Sequence, residues 1–479
     1  MVIGEILNKI QYVEFIGSCD TEFNHLSFDS NECIKGSVFF CINGEKLDGH
    51  NFALDAVNNG ATILFVERKL NIDVCQVIVH DVRKSMASVS KIFYGEPDKK
   101  LKIIGITGTN GKTTTSYIIK HILESAGKKV GVIGTNGYSC SDFKMEAKLT
   151  TPDSIELFSI LKRMVECSVE YVVMEVSAHA IALSKVYGID FLVGIFTNLT
   201  QDHLDFFKDM NNYFEVKKSF LNNCKYKLIN SDDELVKTIN GENVFSFALN
   251  NPADCFAMDL KEKLTGSEFV INLFDNISKV CFSLPSSYNV SNCLAAASCC
   301  QLLKIPFNII CSSLACVPKV LGRIEVLRVK NFTVIIDYAH TPDGVEKLLT
   351  FVNKFKKRRI ISLVGCGGFR DSLKRKEMGR IANELSDIVV VTTDNPRFEN
   401  GNNIVDDISV LIEKEKCIKE QDRFKAVVTA LMRAKKDDIV VLCGKGRENY
   451  QDVMGNKIPY NEYDIVMNFN EIKVGVEND

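Results

Sequence analysis

Short apolar runs alternate with amphipathic stretches along most of the chain. Residues 39–42, 61–66 and 76–79 are short runs bounded by polar or turn residues, the mark of strands buried on both faces. Residues 52–58 between the first two have a helical pattern that stops before Gly60. This predicts a small α/β domain ending at Gly95-Glu96-Pro97-Asp98, a turn-forming linker. Residues 101–106 form a further apolar strand that runs into a glycine-rich turn. Residues 113–126 follow with apolar positions at 118, 119, 122, 123 and 126, a helical period. Gly127 is placed to end that helix, with Lys128 and Lys129 at the negative end of its dipole. Buried strands recur at 171–176 and 192–196, and β-α alternation of this kind implies a doubly wound, mostly parallel sheet. From Val320-Leu321-Gly322-Arg323 onward, strands at 333–336, 360–364, 388–392 and 439–442 alternate with helical stretches.

The predicted fold class is therefore α/β in three domains. Residues 1–97 form a small α/β domain, 98–320 a central doubly wound sheet with a phosphate loop, and 321–479 a smaller Rossmann-like unit. A chain of 479 residues is too long for one ordinary core, which agrees with that division. With 46% hydrophobic and 25% charged residues, the chain has the composition of a folded protein. A net charge of -3 leaves no broad basic surface for nucleic acid or an acidic membrane, although an anionic small molecule needs only a local basic pocket. The 17 cysteines are irregularly spaced and show no zinc-like CxxC pairs, so they are expected to be buried free thiols in a reducing compartment. The first 20 residues lack a signal-peptide pattern, and no apolar run approaches the roughly 20 residues needed to span a bilayer. A cytoplasmic monomer without membrane insertion is expected.

Gly105-Ile106-Thr107-Gly108-Thr109-Asn110-Gly111-Lys112-Thr113-Thr114 joins the strand at 101–106 to the following helix. Backbone N–H groups in such a loop can cradle phosphate oxygens. Lys112 supplies a point charge for the terminal phosphates, and Thr113 a hydroxyl for Mg²⁺. The spacing departs from the common phosphate-loop pattern, which would place a glycine at Ile106. The competing reading is a glycine-rich turn without a ligand. A nucleoside triphosphate is implied, but not a reaction. No guanine-reading Asn-Lys-x-Asp motif follows.

Further motifs narrow the chemistry. Gly108 to Thr114 resembles the phosphate loop of the Mur ligases, which build the peptidoglycan stem peptide. Met174-Glu175-Val176-Ser177-Ala178-His179, Thr197-Asn198-Leu199-Thr200-Gln201-Asp202-His203-Leu204-Asp205 and Asp337-Tyr338-Ala339-His340-Thr341-Pro342-Asp343 resemble later motifs of that family, in its order. The resemblance runs from residue 27 to residue 448. It implies ATP binding by Gly108, Thr109, Asn110, Gly111, Lys112, Thr113, Thr114, Asn292, Arg323 and Asp337. It also implies that Thr113, Glu175, His203 and a carbamylated Lys217 arrange Mg²⁺. Lys112, Glu175, His203 and Lys217 are the expected catalytic set. A lysine ammonium would repel the ion, whereas a carbamate is an oxygen ligand suited to it. Without the resemblance, Lys217-Lys218 reads as a solvated helix face, and His179 and His340 as structural histidines. In the stretch Ser286 to Asn292, which resembles the adenine-contacting segment, Ser286 stands where the family usually has glycine.

The branch of the family that adds the third amino acid of the peptide is the closest in pattern. Leu26-Ser27-Phe28-Asp29-Ser30-Asn31 resembles its uridine-nucleotide segment, with Asn31 where arginine is usual, and Lys46 is placed to compensate. Phe28, Ser30, Thr150, Thr151, Ser177 and Lys185 are implied to hold UDP-N-acetylmuramoyl-L-alanyl-D-glutamate. Lys185 replaces an arginine and so lacks its fork geometry. Asp394, Asn395, Pro396 and Arg397 resemble the motif of the meso-2,6-diaminopimelate-adding version. Arg370, Gly444 and Glu448 complete the implied amino-acid pocket. Arg397 can grip the distal carboxylate of diaminopimelate and would repel the distal ammonium of lysine. Arg447 stands where histidine is usual and adds charge near the pocket. The implied reaction passes through an acyl phosphate. The competing readings are an L-lysine-adding version, a folate polyglutamate ligase lacking the N-terminal domain, and a non-catalytic nucleotide-binding relative.

Overall fold

The computed structural model describes residues 1–44, 47–369 and 371–469. Two expectations, the compensating charge of Lys46 and the pocket role of Arg370, lie outside the described residues. The first sheet has five strands in the order Glu14–Ile16, Cys75–Ile78, Ala61–Val66, Ser37–Phe40 and His25–Ser27. The first pair is antiparallel and the others are parallel. Alternation along these strands splits their apolar side chains between two layers. Val38, Phe40, Ile63, Phe65 and Val77 pack with Ile3, Ile6 and the helix Val82–Phe93, while Phe39, Leu64, Val66 and Ile78 pack with Ala53 and Ala56. The helical stretch expected at 52–58 is the helix Ala53–Asn58, preceded by a 3₁₀ turn at Gly49–Phe52.

The second sheet has eleven strands. Val130–Gly134, Tyr171–Glu175, Lys102–Thr107, Phe191–Phe196, Cys224–Asn230, Val244–Ala248 and Cys255–Lys263 run side by side in parallel. Antiparallel strands extend both edges, Gly266–Leu273 and Asn276–Phe282 on one side and Gly137–Ser139 and Lys144–Met145 on the other. The expected parallel sheet is thus the centre of a larger mixed one. Lys102–Thr107 lies in the middle, where connections leave in both directions, and this is where an open α/β sheet forms its ligand crevice. One face is covered by the helices Lys112–Ser125 and Ser287–Leu302, the other by Ser154–Glu166.

The third sheet has six strands in the order Glu325–Val329, Phe332–Asp337, Ile439–Cys443, Ile360–Cys366, Ile388–Thr393 and Cys417–Lys419, all parallel after the first pair. Arg423, fully buried, holds two of its strand ends together. It donates to the carbonyls of Thr393 (3.1 Å) and Cys443 (2.7 Å) and pairs with buried Glu462. A buried cation with this many partners is hydrogen-bonded as well as neutralised. Contacts also cross between the sheets' units. Lys91 Nζ donates to the Gly188 carbonyl at 2.6 Å, Lys374 Nζ lies 3.7 Å from Asp202 Oδ1, and Lys354 pairs with Glu262. Among the described residues, no helix is long and apolar enough to cross a membrane, and all cysteines are unpaired.

Candidate active site

The strand Lys102–Thr107 delivers its chain to the phosphate loop, and two glycines allow the tight path. Gly108 (φ +142°) and Gly111 (φ +88°) adopt conformations that L side chains rarely take. A Cβ on Gly108 would lie 1.9 Å from Thr197 Oγ1, and one on Gly111 would lie 2.3 Å from Asn292 Oδ1. The loop is therefore packed directly against the motif at 197–205 and against the helix that carries Asn292. Lys112 Nζ bends back over the loop and donates to the carbonyls of Gly108 (2.8 Å) and Thr109 (3.0 Å). Burial pushes its ammonium below the usual lysine range, while Glu175 and Asp202 pull the other way. Thr109 Oγ1 donates to the Thr200 carbonyl, and Asn110 N donates to Asn198 Oδ1. Thr114 lines the cleft described below.

Glu175, at the end of its strand, is 1% exposed. Its carboxylate accepts from Thr113 Oγ1 (3.0 Å), Thr135 N (3.1 Å) and Thr135 Oγ1 (3.2 Å). Carboxylate and hydroxyl oxygens are hard donors, the chemistry that fits Mg²⁺. His203 has a left-handed backbone (φ +56°) at the start of the short helix Leu204–Phe207. Its Nε2 is 3.3 Å from Asp202 Oδ2, and the His179 ring meets it edge-on at 4.7 Å between centroids. Burial pushes the His203 imidazole far below its usual range, so the ring is neutral near pH 7 and keeps a lone pair. Burial works to raise the Asp202 carboxyl, but Lys374 and the surrounding cationic groups outweigh it and hold it at about 2. Lys217, on the helix Met210–Phe220, is 1% exposed with its Nζ 4.7 Å from the Tyr213 ring centroid. It is no solvated helix face. Burial, reinforced by the Lys112 charge, pushes its amine well below the lysine range.

A cleft of ≈ 1190 Å³ opens beside the loop. Asn110, Gly111, Thr114 and Asn292 line it together with Arg323, Asp337, Tyr338 and Asp343. Asp337 accepts from Ile324 N (2.7 Å) and Ala339 N (2.8 Å), and burial pushes its carboxyl up against the opposing charge of Arg323. The Arg323 guanidinium lies over the Tyr338 ring at 4.7 Å. Ser286 adopts φ +79° and its hydroxyl accepts from Asn289 N, so the position usually held by glycine keeps a glycine-like backbone.

Thr150, Thr151 and Ser177 gather next to Glu175. Thr135 Oγ1 and Thr150 Oγ1 are 3.1 Å apart, and Thr151 Oγ1 donates to the Glu175 carbonyl (2.8 Å) and accepts from Ser177 N (3.1 Å). Lys185 Nζ pairs with Asp153 at 3.0 Å. In the first sheet's unit, Phe28 is 43% exposed while Ser30 is buried, and the Asn31 amide folds onto Asp29 Oδ1 at 3.1 Å.

The loops at the carboxyl ends of the third sheet bring Asp394, Asn395, Pro396, Arg397, Gly444 and Glu448 together. Asn395 Nδ2 donates to Glu448 Oε2 (3.3 Å), Tyr338 OH donates to Glu448 Oε1 (3.4 Å), and Lys445 pairs with Glu448 and donates to Asn395 Oδ1 at 2.7 Å. Arg397, left-handed at φ +52°, donates from Nη1 to the Gly368 carbonyl (2.8 Å) and lies 3.8 Å from Asp452. Gly444 (φ +115°) leaves room for Asp394, since a Cβ there would lie 2.9 Å from Asp394 Oδ2. Arg447 does not load the pocket with free charge. It forms a two-bond pair with Glu325 (2.8 and 2.6 Å) and lies over the Tyr463 ring at 3.6 Å.

Three residues gained no role from the sequence. Thr135 holds Glu175, Lys374 reaches Asp202, and Lys445 organises Asn395 and Glu448. Thr135 was accessible from its place beside Gly134 at a strand end, and Lys445 from its place between two glycines. Nothing local marks Lys374, whose contact spans two sheets.

Three family descriptions match the chain: Mur ligase family, catalytic domain, over residues 22–93; Mur ligase middle domain, over 106–300; and Mur ligase, glutamate ligase domain, over 322–446. The chain is 40% identical to the UDP-N-acetylmuramoyl-L-alanyl-D-glutamate–2,6-diaminopimelate ligase of Clostridium perfringens, over 99% of this chain and 100% of that one. It is 42% identical to ligase 1 of the same name from Clostridium acetobutylicum, over 98% and 99%. A solved structure of a ligase of that name superposes with a TM-score of 0.70 at 27% identity, covering 99% of both chains.

Proposed function

The chain belongs to the Mur ligase family, and from that premise we propose that it joins meso-2,6-diaminopimelate to UDP-N-acetylmuramoyl-L-alanyl-D-glutamate, consuming ATP, in cytoplasmic peptidoglycan synthesis. One observation carries the reading. The phosphate-loop residues Asn110 and Gly111 line a single cleft together with Arg323, Asp337 and Asp343, so a nucleotide held by the loop would meet the C-terminal unit there.

The peptide's terminal carboxylate attacks the γ-phosphorus of ATP. A carboxylate–phosphorus bond forms, the bond to the bridging oxygen breaks, and ADP leaves. The amino group of diaminopimelate then attacks the acyl carbon, and phosphate departs. Lys112 exchanges its two carbonyl acceptors for phosphate oxygens, carrying fixed positive charge to where negative charge spreads. Thr113, Glu175, His203 and a carbamylated Lys217 would hold magnesium, which supplies further positive charge against the phosphoryl oxygens. The depressed amine of Lys217 supports carbamylation, because only a neutral amine adds to carbon dioxide. Thr150, Thr151, Ser177 and Lys185 orient the muramoyl peptide, with Phe28 and Ser30 at its uridine end. Glu448, steadied by Lys445 and Asn395, accepts an ammonium of the amino acid, and Arg397 its distal carboxylate. Closure of the C-terminal unit excludes water from the acyl phosphate.

Phosphate release from ATP with UDP-N-acetylmuramoyl dipeptide tests the reading. It should depend on meso-diaminopimelate and be weak with L-lysine. Equal release with both amino acids would overturn the substrate choice, and release with neither would overturn the activity.

A further inference from the structure

Cys140, Asp142 and Cys167 lie outside the machinery described above. Among the described residues they form the one group of three or more histidine, cysteine or acidic side chains whose ligand atoms all fall within 4.8 Å of one another. No spacing in the sequence announces them. Cys140 and Asp142 belong to the tight turn between the strands Gly137–Ser139 and Lys144–Met145, closed by Cys140 N donating to the Phe143 carbonyl at 3.0 Å. Cys167 caps the helix Ser154–Glu166, with its N–H donating to the Arg163 carbonyl at 3.0 Å.

We propose that Cys140, Asp142 and Cys167 bind Zn²⁺ as three protein ligands and so fasten this hairpin to the helix. Two sulfurs and one carboxylate oxygen are a borderline-soft donor set that suits Zn²⁺ better than Mg²⁺ or Ca²⁺. Around one tetrahedral zinc, such atoms stand roughly 3.6–3.8 Å apart, so small side-chain rotations reach that geometry. The supporting backbone is already fixed. Tyr138, Leu161 and Met164 are fully buried in one core with Phe143, and the Arg163 guanidinium lies over the Phe143 ring at 4.1 Å. Binding releases two thiol protons, and the zinc with its two thiolates and carboxylate carries one net negative charge, with Arg163 beside it. Water fills the fourth position. Both cysteines are part-exposed and Asp142 is exposed, which leaves an approach for the ion. The hairpin connects Thr135, which holds Glu175, to the turn at Thr150 and Thr151. Zinc here would steady one side of the peptide-binding turn without taking part in any reaction step.

The test uses the full chain, reduced and stripped of metal with a chelator, then titrated with Co²⁺ and back-titrated with Zn²⁺. The wild type should develop a thiolate-to-cobalt charge-transfer band that one equivalent of Zn²⁺ bleaches. C140S, C167S and C140S/C167S should each lose that equivalent, and D142N should bind more weakly. Zn²⁺ should raise the melting temperature of the wild type and leave that of C167S unchanged. Retained ligase activity would show that the variants are folded. An unchanged cobalt band in C140S/C167S would overturn the proposal, because the metal would then sit on other thiols. A mass lower by two hydrogens, mapped to a Cys140–Cys167 disulfide in freshly prepared protein with no zinc bound, would overturn it as well.

Discussion

Asn110 Nδ2 of the phosphate loop donates to Asp343 Oδ2, on the first turn of the helix Pro342–Asn353, at 3.0 Å, and the same amide lies 3.4 Å from Thr341 Oγ1. The loop at 108–114 is thereby tied to the third sheet's unit, the one proposed to bind the incoming amino acid. Asp343→Ala should loosen this closure. A part-buried hydrogen bond contributes about 1 kcal/mol, so kcat should fall about fivefold. Small-angle scattering should report a broader distribution of shapes. An unchanged kcat and scattering curve would make the contact idle.

Thr135 gives Glu175 two of its three hydrogen bonds, and its hydroxyl also reaches Thr150. Thr135→Val should raise the Mg²⁺ concentration needed for half-maximal activity by about tenfold, in line with outer-shell partners of metal ligands. Thr135→Ser should restore it. If serine does no better than valine, the hydroxyl is not what positions the carboxylate.

Arg397 is held by Gly368 and approached by Asp452, which leaves the rest of its fork for a carboxylate. Arg397→Ala should raise KM for diaminopimelate by roughly 10- to 100-fold, the range of a lost charged hydrogen bond. KM for ATP should change little. Arg397→Lys should recover only part of the loss, since a point charge cannot make two parallel bonds. Steady-state kinetics with each substrate varied separately checks both statements.

Burial pushes His203 down to about 3 and also lowers His340, whereas both rings protonate near pH ~6.5 in an unfolded chain. Between those values the unfolded chain binds more protons, so stability must fall as pH drops from about 7 to about 5. Urea midpoints across that range should show the slope. His203→Asn should flatten it in part, and an identical slope in that variant would remove His203 as a source.

The sequence was most legible where local pattern and structure coincide. The run at 61–66 is the strand Ala61–Val66, and the helix expected at 113–126 is Lys112–Ser125. Both have continuous apolar runs or a clean helical period, and each has a glycine at one boundary, Gly60 before the strand and Gly127 after the helix. The edges of the central sheet were not legible. Cys255–Lys263 and Asn276–Phe282 mix charged and apolar positions because one face meets solvent, so no strand is announced there. Site residues with motif neighbours could be named in advance. Their partners could not, because the Lys374–Asp202 pair depends on how separate units meet, and the Arg447–Glu325 pair joins residues far apart in sequence within one unit. Burial of Lys217 was equally hidden, since a lysine pair on a helix looks like surface until Tyr213 and Phe214 are seen packed into the core beside it.

Gly322, at φ +73° in the linker between the second and third sheets, touches the loop that carries Glu448. A Cβ on it would lie 2.6 Å from Arg447 N and 2.9 Å from Gly446 Cα. The linker at Gly322 and the loop carrying Glu448 are consequently packed as one piece. If Glu448 seats the incoming amino acid as proposed, the path of this linker and the placement of that carboxylate are set together. On the proposed function, a bulkier residue at 322 should weaken use of the amino acid before it weakens nucleotide binding.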